Sequence, residues 1–149
     1  MRNKKRRVFD NRGFTLIEIM VVVVIIAIMA SVITPNYFNY MNKANVTKVT
    51  TDMKSFSTAL GNYYLDNNMY PTTEQGLKAL IEQPTSDPAP LLWQSYLNIK
   101  EIPNDPWSTP YIYRSPGDNG EEFVIISLGK NRREGGEGYD ADIRSSDLR

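Results

Sequence analysis

The residues with most chemical potential lie near the C-terminus, in Lys130-Asn131-Arg132-Arg133-Glu134-Gly135-Gly136-Glu137-Gly138-Tyr139-Asp140-Ala141-Asp142, which follows Ser127-Leu128-Gly129. The glycines permit sharp turns, and carboxylates recur at close spacing. Such a loop can wrap a calcium ion, which takes about six to eight oxygens from carboxylates and carbonyls. The spacing is not that of an EF-hand, and by composition alone a solvated polar loop is the plainer reading. Asp140 and Asp142 could also pair for hydrolysis, but a flexible loop without a pocket-forming scaffold is poor support for acid–base catalysis. The chain has no cysteine and no histidine. Cysteine-nucleophile and serine–histidine–aspartate chemistry are therefore excluded, as are ordinary zinc sites. Any metal bound here is a hard cation held by oxygen.

A second chemically loaded residue stands at the other end. Glu18 sits a turn inside the apolar run FTLIEIMVVVVIIAIMASVI, residues 14–33. An ionised carboxylate costs about 3 kcal/mol at a membrane centre and less near an end. Glu18 is either close enough to the interface to reach headgroups or be protonated, or it needs a cationic partner supplied on assembly.

The element that must position Glu18 is a helix. At 1.5 Å per residue the run gives roughly 30 Å, the thickness of a hydrocarbon core, and a lipid-exposed strand would leave its backbone unsatisfied. The 17 basic and 17 acidic residues cancel overall, yet Arg2, Lys4, Lys5, Arg6, Arg7 and Arg12 precede the run against Asp10 alone. By the positive-inside rule these stay in the cytoplasm and the rest lies outside. A cleavable secretory signal fits poorly, since its apolar region runs about 7–15 residues.

Gly13-Phe14-Thr15-Leu16-Ile17-Glu18 resembles the GFTLIE processing motif of type IV pilins and type II secretion pseudopilins. The resemblance implies cleavage by a prepilin peptidase between Gly13 and Phe14, N-methylation of Phe14, and pairing of Glu18 with the amino terminus of an adjacent subunit. Two such charges neutralise each other between packed helices, whereas either alone is costly. The implied organisation is a cytoplasmic leader at 1–13, a transmembrane and assembly helix at 14–34, a periplasmic half-helix at 35–65 and a globular domain at 66–149.

Pro35 closes the apolar run, so a kink or local melting is expected there. In the family a proline at the matching place marks where the helix loosens on assembly. The aromatics of Asn36-Tyr37-Phe38-Asn39-Tyr40 equally suit an interfacial anchor. Val49, Met53, Phe56, Leu60 and Tyr63 then recur at steps of three and four, predicting one buried helical stripe with Lys48, Asp52, Lys54 and Asn62 off it. Asn67-Asn68-Met69-Tyr70-Pro71 reads as a turn. Thr72 and Gln75 form a capping box for a short helix through Ile81, stopped by Pro84. Trp93, Tyr96, Leu97 and Trp107 staple a proline-rich span. Residues 111–114 and 122–127 read as strands joined by Pro116-Gly117-Asp118-Asn119-Gly120. The fold class predicted is α+β and pilin-like, a long N-terminal helix packed on a small domain with a short helix, an antiparallel hairpin or sheet, and a C-terminal loop.

NYYLDNNMYPTTEQGLKALI, DPWSTPYIYRSPG, and SLG followed by GGEGYDADI look like the major pseudopilins of type II secretion, in order along nearly the whole chain. That likeness implies calcium in the C-terminal loop, held by the Leu128 carbonyl and the side chains of Asn131, Asp140 and Asp142. The family normally has aspartate where Asn131 stands. An asparagine oxygen coordinates without adding charge, and Lys130, Arg132 and Arg133 oppose a cation. Alternatively Arg132 and Arg133 pair with Glu134 or Glu137 and replace the metal.

The function implied is structural rather than enzymatic. The chain would be the major subunit of a secretion pseudopilus, single-pass in the bacterial inner membrane with its globular domain in the periplasm. It would polymerise with copies of itself and minor pseudopilins, driven by an ATPase and membrane platform, to push folded proteins through the outer membrane. An adhesive or DNA-uptake pilin is the alternative. It would want a basic or aromatic surface larger than Arg132-Arg133, and no nucleic-acid partner is expected.

Overall fold

The structure, a computed structural model, describes residues 13–148, and the backbone alone for 32–36. The basic stretch of the expected leader lies outside the described residues. Helix α1 spans Leu16–Asn67. The described residues up to Tyr40 form one compact unit and those from Met41 a second.

In the first unit α1 carries its apolar side chains outward, from Leu16 at 79% exposure to Met29 at 60%. Among the described residues no helix is long and apolar enough to cross a membrane. Residues 16–31 cover about 24 Å at the helical rise, short of the roughly 30 Å core. Val32, Ile33 and Thr34, which complete the expected span, are among those described by backbone alone. The helix continues through Pro35, so the local melting expected there is corrected. Proline removes one N–H and crowds one turn at about 3 kcal/mol, and the flanking turns keep their helical bonding.

In the second unit the predicted stripe is the core. Val49, Met53, Phe56, Leu60 and Tyr63 are each at most 3% exposed. They pack with Leu77, Leu80, Trp107, Tyr111, Tyr113 and Ile125, while Trp93, Tyr96 and Leu97 lie against that cluster half-buried. The Phe56 and Tyr111 rings meet edge to face at 5.4 Å, the favoured approach of two quadrupoles. The Tyr111 hydroxyl donates to Asp52 Oδ2 at 2.9 Å, and Lys48 Nζ lies 2.6 Å from Asp52 Oδ1.

The capping box forms as predicted: Gln75 N donates to Thr72 Oγ1 at 3.2 Å, and Thr72 N to Gln75 Oε1 at 3.0 Å. The helix it was expected to start shortens to a 3₁₀ turn, Leu77–Leu80. Gly76, at φ 61° and ψ −168°, stands just before that turn and leaves helical space, so the first turn closed by Gly76 N on the Thr72 carbonyl does not run on into Leu77–Leu80 as an α-helix.

Strands β1 (Ile112–Arg114) and β2 (Val124–Ser127) pair antiparallel, Tyr113 facing Ile125. A third strand, β3 (Ile143–Arg144), pairs antiparallel on the far edge of β2, with Ser127 opposite Ile143. All four β2 residues are buried, as a central strand covered on both faces requires. The loop of residues 128–142 thus leaves β2 and returns to the same sheet as β3.

Candidate functional site

At the start of α1, Gly13, Phe14, Thr15 and Glu18 line one open concavity, so the expected processing point and the expected assembly carboxylate are neighbours. Thr15 N donates to Glu18 Oε2 at 3.0 Å and Thr15 Oγ1 does so at 3.1 Å. Glu18 N donates back to Thr15 Oγ1 at 3.3 Å. This is a reciprocal capping box, satisfying two N–H groups that a helix start leaves without partners. The carboxylate also faces the positive end of the helix dipole. Thr15 is the capping residue of this helix start, and threonine three residues before glutamate is the sequence signature of such a box. Phe14 is 82% exposed. Pro35 lies within the helix, with its side chain outside the described set.

Around Gly135 and Gly136 the C-terminal loop brings together the Asn131 amide, the Asp140 carbonyl and the Asp142 carboxylate, three of the four residues expected to hold calcium. Asp142 Oδ2 accepts from Gly135 N at 3.0 Å, and Asp142 Oδ1 is buried with no hydrogen-bond partner among the described residues. A Cβ on Gly136 would run into the Asp140 carbonyl and approach the Asn131 amide nitrogen at 2.9 Å. Only a glycine lets those two residues close over that point. Asn131 Oδ1 accepts from Arg133 N at 2.9 Å, a side-chain turn that accompanies Arg132 at φ 59°. Lys130 N donates to the Tyr139 carbonyl at 3.2 Å and ties the loop across its base.

Among the described residues no group of three or more acidic side chains stands ready for a metal. The expected set contains only two carboxylates, Asp140 and Asp142, completed by the Asn131 amide oxygen and the Leu128 carbonyl. An all-oxygen set with one buried acceptor left unpaired suits a hard cation. Glu134 does not pair with Arg132 or Arg133. It lies 3.7 Å from the Arg114 guanidinium, and Arg114 and Arg144 also hold Asp118 at 2.7 Å and 3.2 Å. Hydrogen bonding to Arg114 holds the Asp118 carboxyl below its ordinary range. Among the described residues no ion pair joins Arg132 or Arg133 to Glu134 or Glu137, so the alternative in which those pairs replace the metal is not formed, and Glu134 lies instead against Arg114 of β1.

The chain resembles known proteins over nearly its whole length. Residues 36–146 match the family described as type II secretion system (T2SS), protein G, and residues 9–34 match the prokaryotic N-terminal methylation motif. The type II secretion system core protein G of Pseudomonas aeruginosa is 47% identical over 135 residues, covering 91% of this chain and 94% of that one. Its counterpart from Vibrio cholerae is 48% identical over 131 residues, 88% of each. The crystal structure of the major pseudopilin from the type 2 secretion system of enterohaemorrhagic Escherichia coli superposes with a TM-score of 0.61 at 37% identity, covering 75% of this chain and 95% of that one. With its pseudopilin fold, methylation motif and collinear relatives, the chain belongs to the type II secretion system protein G family, the major pseudopilins.

Proposed function

We propose that this subunit is cut between Gly13 and Phe14, methylated on Phe14, held in the inner membrane by residues 14–34, and polymerised through that segment with its globular domain in the periplasm. Copies of itself, minor pseudopilins, the prepilin peptidase and a platform with its ATPase are its partners, and its own role is structural rather than catalytic. The observation that carries the reading is the row of outward apolar side chains from Phe14 to Met29 with a single carboxylate, Glu18, among them. Such a face needs lipid or neighbouring helices to cover it.

Glu18 has two roles that one substitution separates. Glutamine serves a capping box as glutamate does, but cannot neutralise an α-amino group. Glu18→Gln should therefore keep membrane insertion and fail to assemble pseudopili, and Glu18→Ala should fail likewise. Normal assembly by Glu18→Gln would leave only the capping role. Mass spectrometry of the mature chain should find a methylated Phe14 at its start; a start at any other residue would sink the processing reading.

For the C-terminal loop, calcium is the cation proposed, with Leu128, Asn131, Asp140 and Asp142 as its holders. The unpaired Asp142 Oδ1 supports this. When bound, the ion would neutralise the two carboxylates and fix the loop against the sheet. The residues themselves prepare the site: Gly135 N orients Asp142, and Gly136 permits the approach of Asn131 to Asp140.

A further inference from the structure

Asp105 is 4% exposed and Ser127 is fully buried, and no salt bridge involves this carboxylate among the described residues. Asp105 Oδ1 accepts from Trp107 N at 3.0 Å and Thr109 N at 2.8 Å. Its other oxygen, Oδ2, accepts from Ser127 Oγ at 2.7 Å. The same Ser127 Oγ accepts from Gly129 N at 3.3 Å. The relay therefore reaches the backbone on both sides of Leu128, from the buried turn at Asp105 to the first residues of the C-terminal loop.

The far side of the loop meets this same point. Gly129 has φ 65°, and a Cβ there would approach the Ala141 carbonyl to 2.6 Å and the Tyr139 carbonyl to 3.3 Å. Ser127 faces Ile143 across the sheet. Leu128 is thus pinned between a sheet residue and a glycine that packs against the chain next to Asp140 and Asp142. A buried, fully bonded carboxylate fixes a hydroxyl rigidly, because charge-assisted bonds are short and strong.

We infer that Asp105, acting through the Ser127 hydroxyl, is a positioning residue for the Leu128 carbonyl in the cation loop; this rests on the calcium reading above. Groups behind a ligand orient it, and their loss typically costs 10–100-fold in metal affinity.

The test is calorimetric calcium titration of the full chain in detergent micelles, with thermal melts in calcium and in chelator. Ser127→Ala should weaken calcium binding at least about tenfold and shrink the calcium-dependent rise in Tm. Ser127→Thr, which keeps the hydroxyl, should restore both. A merely structural serine would lower Tm equally in calcium and in chelator and leave the affinity unchanged, and that result overturns the inference. If the Thr variant binds as weakly as the Ala variant while melting like wild type in chelator, the hydroxyl is not the link and the inference fails. If wild type binds no calcium, the calcium reading falls first and this inference with it.

Discussion

Asp142→Asn should change the sign of its effect with calcium. One carboxylate oxygen is bonded to Gly135 N and the other is buried without a partner. An unpaired buried acceptor costs about 1–3 kcal/mol, more when charged. Asparagine keeps an oxygen for Gly135 and exchanges the unpaired anionic oxygen for a neutral amide group. In chelator the variant should therefore match wild type within about 1 kcal/mol or exceed it. With calcium at a hundredfold its Kd, wild type gains about 2.7 kcal/mol from mass action. For a domain near 100 residues that is a rise in Tm of roughly 10 °C. The variant would be left with one carboxylate, Asp140, among neighbouring Lys130, Arg132 and Arg133, and its calcium gain should fall toward zero. Scanning calorimetry of both proteins, each in calcium and in chelator, reads all four values. Equal destabilisation of the variant in both buffers would show Asp142 to be only a fastener for Gly135. Identical wild-type melts in both buffers would refute the metal itself.

The other outcomes concern the core and its pH range. Leu60 is fully buried, so Leu60→Ala should cost about 2–5 kcal/mol in a urea melt, whereas Leu65→Ala, at an 81% exposed site, should stay within about 0.5 kcal/mol; equal losses would contradict the assigned helix face. Burial raises the phenols of Tyr63, Tyr96, Tyr111 and Tyr113, and bonds to Asp66 and Asp52 raise Tyr96 and Tyr111 further. A folded pKa above the unfolded value gives stability that is complete below about pH 10 and is lost as pH climbs through the folded values. Ultraviolet titration should show these four ionising only as the protein unfolds; reversible ionisation of all nine tyrosines near pH 10 in folded protein would refute this.

What could be read ahead of the structure was local. The Val49-to-Tyr63 stripe needs only helical geometry to face one way, and the Thr72–Gln75 box only a spacing of three residues. What could not be read depends on where the chain returns. Strand β3 is two residues, Ile143–Arg144, and exists because the loop brings it back to β2. The Asp105–Ser127 bond joins residues 22 apart, so Asp105 looks like an ordinary turn aspartate in sequence. The capture of Glu134 by Arg114 likewise required β1 and the loop to meet. Gly76 was visible, but its effect was not, because a capping box promises a helix start and says nothing of the φ that ends it.

Both anomalous carboxylates end in a similar condition, and it bears on assembly. The bonds to Glu18 all fall on Oε2 and come from neutral groups of its own chain, so capping leaves the second oxygen for another donor. Asp142 uses Oδ2 for Gly135 and holds Oδ1 bare. In each case one oxygen fixes the rotamer locally and the other is presented in a set orientation. A pre-oriented acceptor loses little side-chain freedom when its cation arrives. The local bonds are therefore not rivals to the proposed cationic partners, an α-amino group at Glu18 and calcium at Asp142. They lower the ordering cost of meeting them, and for this reason the glutamine and asparagine variants, which keep the local bonds, separate the roles more cleanly than alanine can.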